Sequence, residues 1–580
     1  MVNRLVLAGL SWLLACGLAC ADPGQRFISV AFHDVVDTAA ELDADAVTSD
    51  RLVTFFDYLR GDGWTAITLD DIARARRGER ALPDKAILVT FDDGYKSLYT
   101  RVFPLLLAYR IPVVAALVGE WVDAPGDATV RYSGKPVPRA RFISWDQARE
   151  MQASGLVEFA SHSYAQHREL AANPQGNATP ALTTAVYDLD ARRYEGPEQY
   201  RDRLRTDIGR NQALLSRELG RAPRAIVWPY GRYSHEALEV VREQGLEFAL
   251  TLDDQPAHTG RPLEIGRYLP TGNLALADLV TDLRFRDRLP ATRRIVRLDP
   301  EALWSDNAVE FDRRLGLAIE RLRTLGTTHV ILEALHFDAG SGRASAWFPS
   351  ARLPTRADAL NRISWQLRTR AGVSPIVDTR LARLAGQLDD ASVVQVHAEL
   401  GRLVPVDGLF LEAPGWAAPA PPTAQTLDSP AAIREARRAS DASRLQGLAH
   451  LSFESFRAIE RFRPELTLVT LERVAPGAPP SPFADLQMHA VKADLGSVRE
   501  WGRALRQSGL LETRASRRRL GAWIEPDAAP EANTLVPLVR ALQVSGSASI
   551  GWAADLMLEN RPDADLVAPT VSGATFPARF

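Results

Sequence analysis

The sequence predicts an α/β protein of two consecutive domains, the second a (β/α)8 barrel. Three observations carry this. The chain has 580 residues, 46% of them hydrophobic, enough for two large cores at roughly 100–200 residues per domain, with barrels running longer. From residue 26 to 270, short apolar, β-branched segments alternate with helical stretches, the pattern of a parallel sheet with crossover helices. The same alternation restarts near residue 294 and gives eight candidate strands, the number that closes a (β/α)8 barrel.

Residues 1–21 read as a signal peptide. Arg4 precedes an apolar run over 5–18, and Ala19-Cys20-Ala21 supplies a small-residue cleavage site. The run is shorter than a membrane span requires. Cys16 and Cys20, the only cysteines, fall within residues 1–21, so the cleaved chain is expected to have no disulfide. The expected location is the periplasm of a Gram-negative host. Leu13-Leu14-Ala15-Cys16 also fits a lipoprotein signal, which leaves an outer-membrane anchor through Cys16 as the alternative. The formal net charge of -3 argues against a broadly basic nucleic-acid binder.

The first domain (22–275) has candidate strands at 27–33, 86–91, 112–118, 157–161, 224–229, 247–252 and 265–269, and a charged helix at 198–219. Either a parallel barrel or a doubly wound sheet fits. Residues 276–292 read as a linker. The second domain (293–580) has candidate strands at 294–298, 328–335, 375–378, 407–412, 466–472, 486–491, 521–524 and 549–552. Its Ala/Pro-rich stretch 417–422 reads as a loop.

In the first domain, chemistry-bearing residues gather at strand ends: His33, Asp92, Asp93, His162, Trp228, Tyr230 and Asp253. In a parallel barrel that face carries the active site. A carboxylate with two imidazoles is a common metal-ligand set that leaves room for water. Neighbouring side chains of a regular strand point to opposite faces, but the turn at Gly94 relaxes this. One aspartate could then bind a metal while the other takes a proton from water. Spacing alone leaves a second reading open, a strand end with an Asp-Gly turn and structural histidines. His162 and His167 are five apart, so they do not share a helix face at i, i+4. Three of the ten histidines, His33, His162 and His167, fall at these points, which favours the metal.

Thr90-Phe91-Asp92-Asp93-Gly94 resembles the first motif of the polysaccharide deacetylases of carbohydrate esterase family 4. Ser161-His162-Ser163-Tyr164-Ala165-Gln166-His167 resembles their second. The five-residue histidine step, Val227-Trp228-Pro229-Tyr230-Gly231 and the segment 198–205 are similar to one subgroup, the poly-β-1,6-N-acetyl-D-glucosamine N-deacetylases. That resemblance implies a distorted (β/α)7-type barrel. It implies Asp92 as general base and Asp93, His162 and His167 as ligands of one divalent ion (zinc, nickel, cobalt or iron). It implies substrate contacts from Trp228, Tyr230, Tyr164, Asp253 and Arg267, with backbone N–H near Tyr230 holding the oxyanion. Two departures from the wider family stand out. Val227 occupies the place of an arginine that orients the base, and the stretch 265–270 lacks the histidine that serves as acid. Phe32-His33-Asp34 resembles the subgroup's early histidine, which makes His33 the expected acid. The implied activity is N-deacetylation of a β-1,6-linked N-acetylglucosamine polymer during biofilm exopolysaccharide export. The implied partner is an outer-membrane porin with a periplasmic repeat domain, met by a monomer. The alternatives are a deacetylase of chitin-like oligomers or peptidoglycan, and a non-catalytic polysaccharide-binding scaffold.

In the second domain, Glu333, Asp378, Glu412, Glu472, Glu525 and Asp555 fall at or near strand ends. Trp347, Trp416, Trp523 and Trp552 lie close in sequence. Acids with aromatic platforms suit a polymer bearing ammonium groups, although strand ends often carry solvated acids. Trp347-Phe348-Pro349, the segment 364–370 and the tail 551–577 resemble the subgroup's second domain, a (β/α)8 barrel that binds, and can cleave, partly deacetylated polymer. The likeness breaks at 407–414, where a histidine and one aspartate are gone and Glu412 replaces the other aspartate. Glycoside cleavage needs two carboxyl groups at a set separation. Glu412 with Asp407 or Asp555, beside Trp552, are the candidates, and binding without cleavage is an equal expectation.

Overall fold

The computed structural model describes residues 24–132, 134–253, 255–285, 292–414, 416, 429–439, 445–473, 480, 481, 483–510 and 514–571. The expected signal segment and the 417–422 loop lie outside these residues.

The first domain is built on a nine-stranded sheet. Arg26–Phe32, Ala86–Phe91, Val113–Leu117, Val157–Ser161, Ala225–Val227, Phe248–Thr251 and Ile265–Gly266 pair in that order, all parallel. Every residue of Ala86–Phe91 is buried, as a parallel strand covered on both faces requires. The strand order follows the chain, with no reversal where a doubly wound sheet would open. The ring then draws nearly shut. Tyr268 N–H donates to Ser29 O and Ala31 N–H to Tyr268 O, both at 2.8 Å. This settles the choice in favour of a distorted barrel.

The long helix Pro197–Leu219 starts with proline in its first turn and ends at Gly220, with φ 73. Its buried face carries Tyr200, Leu204, Ile208 and Leu215, but also Asp207 and Asn211. The stretch expected as a linker holds a helix, Leu276–Phe285, whose Leu279 and Leu283 are buried in the first domain's core. Residues 286–291 lie outside the described residues.

The second domain is a closed barrel of eight parallel strands: Arg293–Leu298, His329–Glu333, Ser374–Asp378, Gly408–Glu412, Thr467–Glu472, Leu486–Lys492, Leu520–Glu525 and Ser549–Trp552. The last pairs with the first. Inward-facing Ile295, Ile331, Ile376, Phe410, Val469 and Met488 pack the barrel solid, so its interior is a core and its chemistry is confined to the rims.

The domains touch through a hairpin of the first, Glu169–Ala171 with Ala178–Pro180. Asn173 Nδ2 donates to Asn361 Oδ1 (2.9 Å), Asn361 Nδ2 to Ala172 O (2.9 Å) and Trp365 Nε1 to Ala178 O (2.8 Å). Asn361 and Trp365 lie on the helix Leu360–Gln366, which precedes the strand Ser374–Asp378. The base of the second barrel therefore faces the first domain.

Candidate metal centre

After the strand Ala86–Phe91, Asp92 N–H still donates to Phe32 O (2.9 Å). Asp93 and Gly94 then both take φ 73. Two consecutive left-handed residues turn the chain, so adjacent aspartates aim at one place. The conformation costs Asp93 roughly 1–2 kcal/mol. Gly94 is obligatory, since a Cβ there would sit 2.7 Å from Leu117 Cδ2.

The two histidines come from a clamped turn, not a helix. Ser163 is left-handed, with φ 65. Asp207 accepts from Tyr164 N–H (2.9 Å) and Ala165 N–H (2.8 Å). Arg203 Nη1 donates to Gln166 Oε1 (2.8 Å), and Asn211 Nδ2 to Ser161 Oγ (2.8 Å). Residues 203, 207 and 211 repeat every four along Pro197–Leu219, so one polar helix face grips the whole loop.

Asp93 Oδ1 lies 3.3 Å from both His162 Nε2 and His167 Nε2, and the ligand atoms of the triad all lie within 4.8 Å of one another. All three residues are buried. His162 Nδ1 is 2.7 Å from Val227 O. A carbonyl only accepts, so Nδ1 carries the proton and Nε2 presents its lone pair. Both Asp93 oxygens and His162 Nε2 are buried without a hydrogen-bond partner, an expensive arrangement that a cation would satisfy. Burial works against the Asp93 charge, but His167 and His162 outweigh it and hold the carboxyl well below its usual range. Burial pushes His167 down to about 4, which keeps it in the neutral form a metal needs. The donor set fits a divalent ion.

Asp92 stands beside the triad. Arg267 Nη1 donates to Asp92 Oδ1 and to Thr90 Oγ1, both at 2.8 Å. Burial again opposes ionisation, and Arg267, His162 and His33 together lower the Asp92 pKa despite it. His33 Nε2 is 4.0 Å from Asp92 Oδ2. Arg267 was expected among the sugar contacts. It is buried and instead holds the Asp92 carboxylate. The sequence signal for this is indirect: barrel closure at Tyr268 brings residue 267 beside the strands bearing Thr90 and Asp92.

Of the other residues expected as contacts, Tyr230 lies at the cleft beside His167. It is left-handed (φ 58), half-buried, and its ring centroid lies 4.5 Å from that of His167. Trp228 is fully buried and stacks on Tyr233, so it is a wall behind the site. The Tyr164 hydroxyl accepts from Arg210 (2.7 Å), away from the cleft lining. Asp253 is buried, accepts from Tyr233 OH (2.8 Å) and is pushed up to about 8 by burial; it lines a different cavity, between the domains. The cleft at the triad has a volume of about 760 Å³ and is bounded by Trp121, Arg131, His167, Glu169 and Tyr230. Arg131 belongs to the hairpin Thr129–Tyr132 with Lys135–Pro138, which sequence reasoning missed; Ser133-Gly134 was its turn signal.

At the second barrel's mouth, Glu333, Asp378, Glu412, Glu472 and Glu525 do end their strands. Arg297 donates to Asp378 (2.7 Å) and Glu333 (3.3 Å), Arg380 to Glu333 (2.6 Å), and Arg473 to both Glu525 (2.6 Å) and Glu412. Asp555 is held by buried Arg321 (2.9 and 3.0 Å) and Trp552 Nε1 (3.0 Å). Asp407 precedes the strand that Glu412 ends. At about 3.3 Å per residue they are roughly 16 Å apart, beyond the ~5–9.5 Å of a glycosidase pair. Trp347, Trp523 and Trp552 are buried in the core, and the half-buried Trp416 donates to Ala449 O. The expected aromatic platforms are therefore packing.

Residues 79–249 match the family described as polysaccharide deacetylase, and residues 297–400 match hypothetical glycosyl hydrolase family 13. The poly-β-1,6-N-acetyl-D-glucosamine N-deacetylase of Escherichia coli K12 is 34% identical over 397 residues, covering 66% of this chain and 59% of that relative. The chain thus spans less than two thirds of that protein's length. The deacetylase domain of BpsB from Bordetella bronchiseptica is 39% identical, covers 43% of this chain and 97% of that domain, and has a TM-score of 0.39. A de-N-acetylase from Aggregatibacter actinomycetemcomitans is 32% identical, covers 44% and 99%, and has a TM-score of 0.42.

Proposed function

We propose, from the polysaccharide deacetylase match of residues 79–249, that the chain is a polysaccharide deacetylase that hydrolyses N-acetyl groups of poly-β-1,6-N-acetyl-D-glucosamine during biofilm exopolysaccharide export. The observation that carries this is an arginine-held Asp92 directly beside a buried Asp93-His162-His167 triad with unsatisfied ligand atoms. A divalent ion held by that triad (zinc, nickel, cobalt or iron) would supply Lewis acidity toward the acetyl carbonyl and the attacking water.

The protein's own groups do the rest. Asp92 takes the proton from water as its oxygen bonds to the acetyl carbon. Arg267 keeps that carboxylate ionised and aimed. His33 gives a proton to the departing sugar nitrogen as the amide C–N bond breaks. Tyr230 packs beside His167 and shapes the sugar site, and the nearby backbone N–H steadies the oxyanion. Release by a signal peptide into the periplasm and delivery to an export porin complete the proposal. The first rests on the 1–21 segment and the second on the motif resemblance at 161–167 and 227–231. Among the described residues no helix is long and apolar enough to cross a membrane.

The test is acetate release from β-1,6- and β-1,4-linked N-acetylglucosamine oligomers, with and without chelator. Chelator-sensitive release favouring β-1,6 is expected. Chelator-insensitive release would refute the metal mechanism, and a β-1,4 preference would move the assignment to chitin-like or peptidoglycan substrates.

A further inference from the structure

A second cavity, of about 600 Å³, lies between the domains at the base of the second barrel. That is within the roughly 300–1,000 Å³ of ligand sites. It is distinct from the acid-lined mouth, since Ser374, Asp407 and Thr467 on its wall stand at the starts of their strands. It also adjoins the cleft beside His167. Glu169 and Ala178 line both spaces, and Tyr230 lines the cleft while the next residue, Gly231, lines the cavity. Consecutive Cα atoms are about 3.8 Å apart, so a sugar chain leaving the triad over the Glu169–Pro180 hairpin enters this space within about one residue's length.

The lining chemistry selects what it takes. Its carboxylates are already engaged: Asp407 with Arg368 (3.4 Å), Glu465 with Arg232 (3.4 Å), Asp253 with Tyr233. Glu169, on the shared rim, is the exposed exception. Donors remain in excess. The only side-chain hydrogen bond of Arg463 among the described residues runs from Nε to Gly401 O, which leaves its terminal nitrogens to the cavity. Half-buried Trp365 and Phe462 add aromatic surface. Guanidinium donors with aromatic walls suit a neutral sugar rich in acceptors, such as an acetamido carbonyl. They do not suit an ammonium group, which among the described lining residues would find only Glu169, on the rim, without a hydrogen-bond or ion-pair partner.

We propose that this interdomain cavity is a subsite for still-acetylated residues of the polymer, so that the base of the second barrel holds substrate next to the residue being deacetylated. The idea rests on the deacetylase reading for its ligand.

It is tested on the full chain by calorimetric titration with a β-1,6-linked N-acetylglucosamine hexamer and with the fully de-N-acetylated hexamer. Wild type should bind the acetylated hexamer more tightly. Arg463→Gln, which removes the guanidinium left to the cavity, and Thr369→Trp, which fills the cavity from its exposed edge, should each raise the Kd for the acetylated hexamer about tenfold. Each should also lower kcat/KM on the hexamer about tenfold more than on the dimer. Equal losses on both lengths, unchanged hexamer binding, or a preference for the de-N-acetylated hexamer would overturn the subsite. If wild type releases no acetate at all, the deacetylase reading fails, and the Kd shifts still decide whether the cavity binds acetylated sugar.

Discussion

Both barrels place acidic side chains at the C-terminal ends of their strands, yet they use them differently. In the first, Asp93, His162 and His167 converge with buried ligand atoms unengaged. In the second, Glu333, Asp378, Glu412, Glu525 and Asp555 are each engaged by an arginine. The difference teaches that acids at a barrel mouth do not by themselves make a site. A buried carboxylate already paired is structural; one left unsatisfied beside other donors is poised for a ligand. The two mouths should therefore respond to mutation in opposite ways.

The largest effect is expected at Asp92. Asp92→Asn should lower kcat for acetate release by about 10²–10⁴-fold while retaining bound metal. At the second mouth, Asp555→Ala would strand buried Arg321. Denaturant unfolding should show a loss of about 3–5 kcal/mol, with acetate release by the folded fraction unchanged. Asp207 grips the histidine loop, so Asp207→Ala should weaken metal affinity about 10–100-fold, measured by competition with a chromophoric chelator. The smallest effect belongs to Glu412. Its pair with Arg473 is half-exposed, and Glu412→Gln should cost no more than about 1 kcal/mol. The full chain should not shorten partly deacetylated polymer, and chain shortening lost in Glu412→Gln would break the comparison.

Much of this was legible in the sequence because strands announce themselves. Buried parallel strands must be apolar on both faces, so 86–91 and 157–161 were located to the residue, and all eight strands of the second barrel were found. The residues of the buried triad, Asp93, His162 and His167, were legible through their motifs. What stayed hidden depends on facing and closure. Trp347, Trp523 and Trp552 lie near the mouth in sequence, but strand alternation and the turns after it decide which way an indole points, and here all three point into the core. Asp407 and Glu412 bracket one strand, and a strand separates its ends by its full length. Arg267 reaches Asp92 only because the ring draws shut at Tyr268, a contact across 175 positions that no local pattern encodes. The helix Leu276–Phe285 was read as part of a linker although Leu276, Leu279, Val280 and Leu283 recur at helical spacing, and the burial of Leu279 and Leu283 against the first domain reveals its role.

The central claim is that Asp93, His162 and His167 together hold a divalent cation. Elemental analysis of metal bound per chain after dialysis tests it directly. The account predicts about one equivalent in wild type and in Asp92→Asn, and almost none in His162→Ala. Full metal content in a folded His162→Ala variant would contradict it.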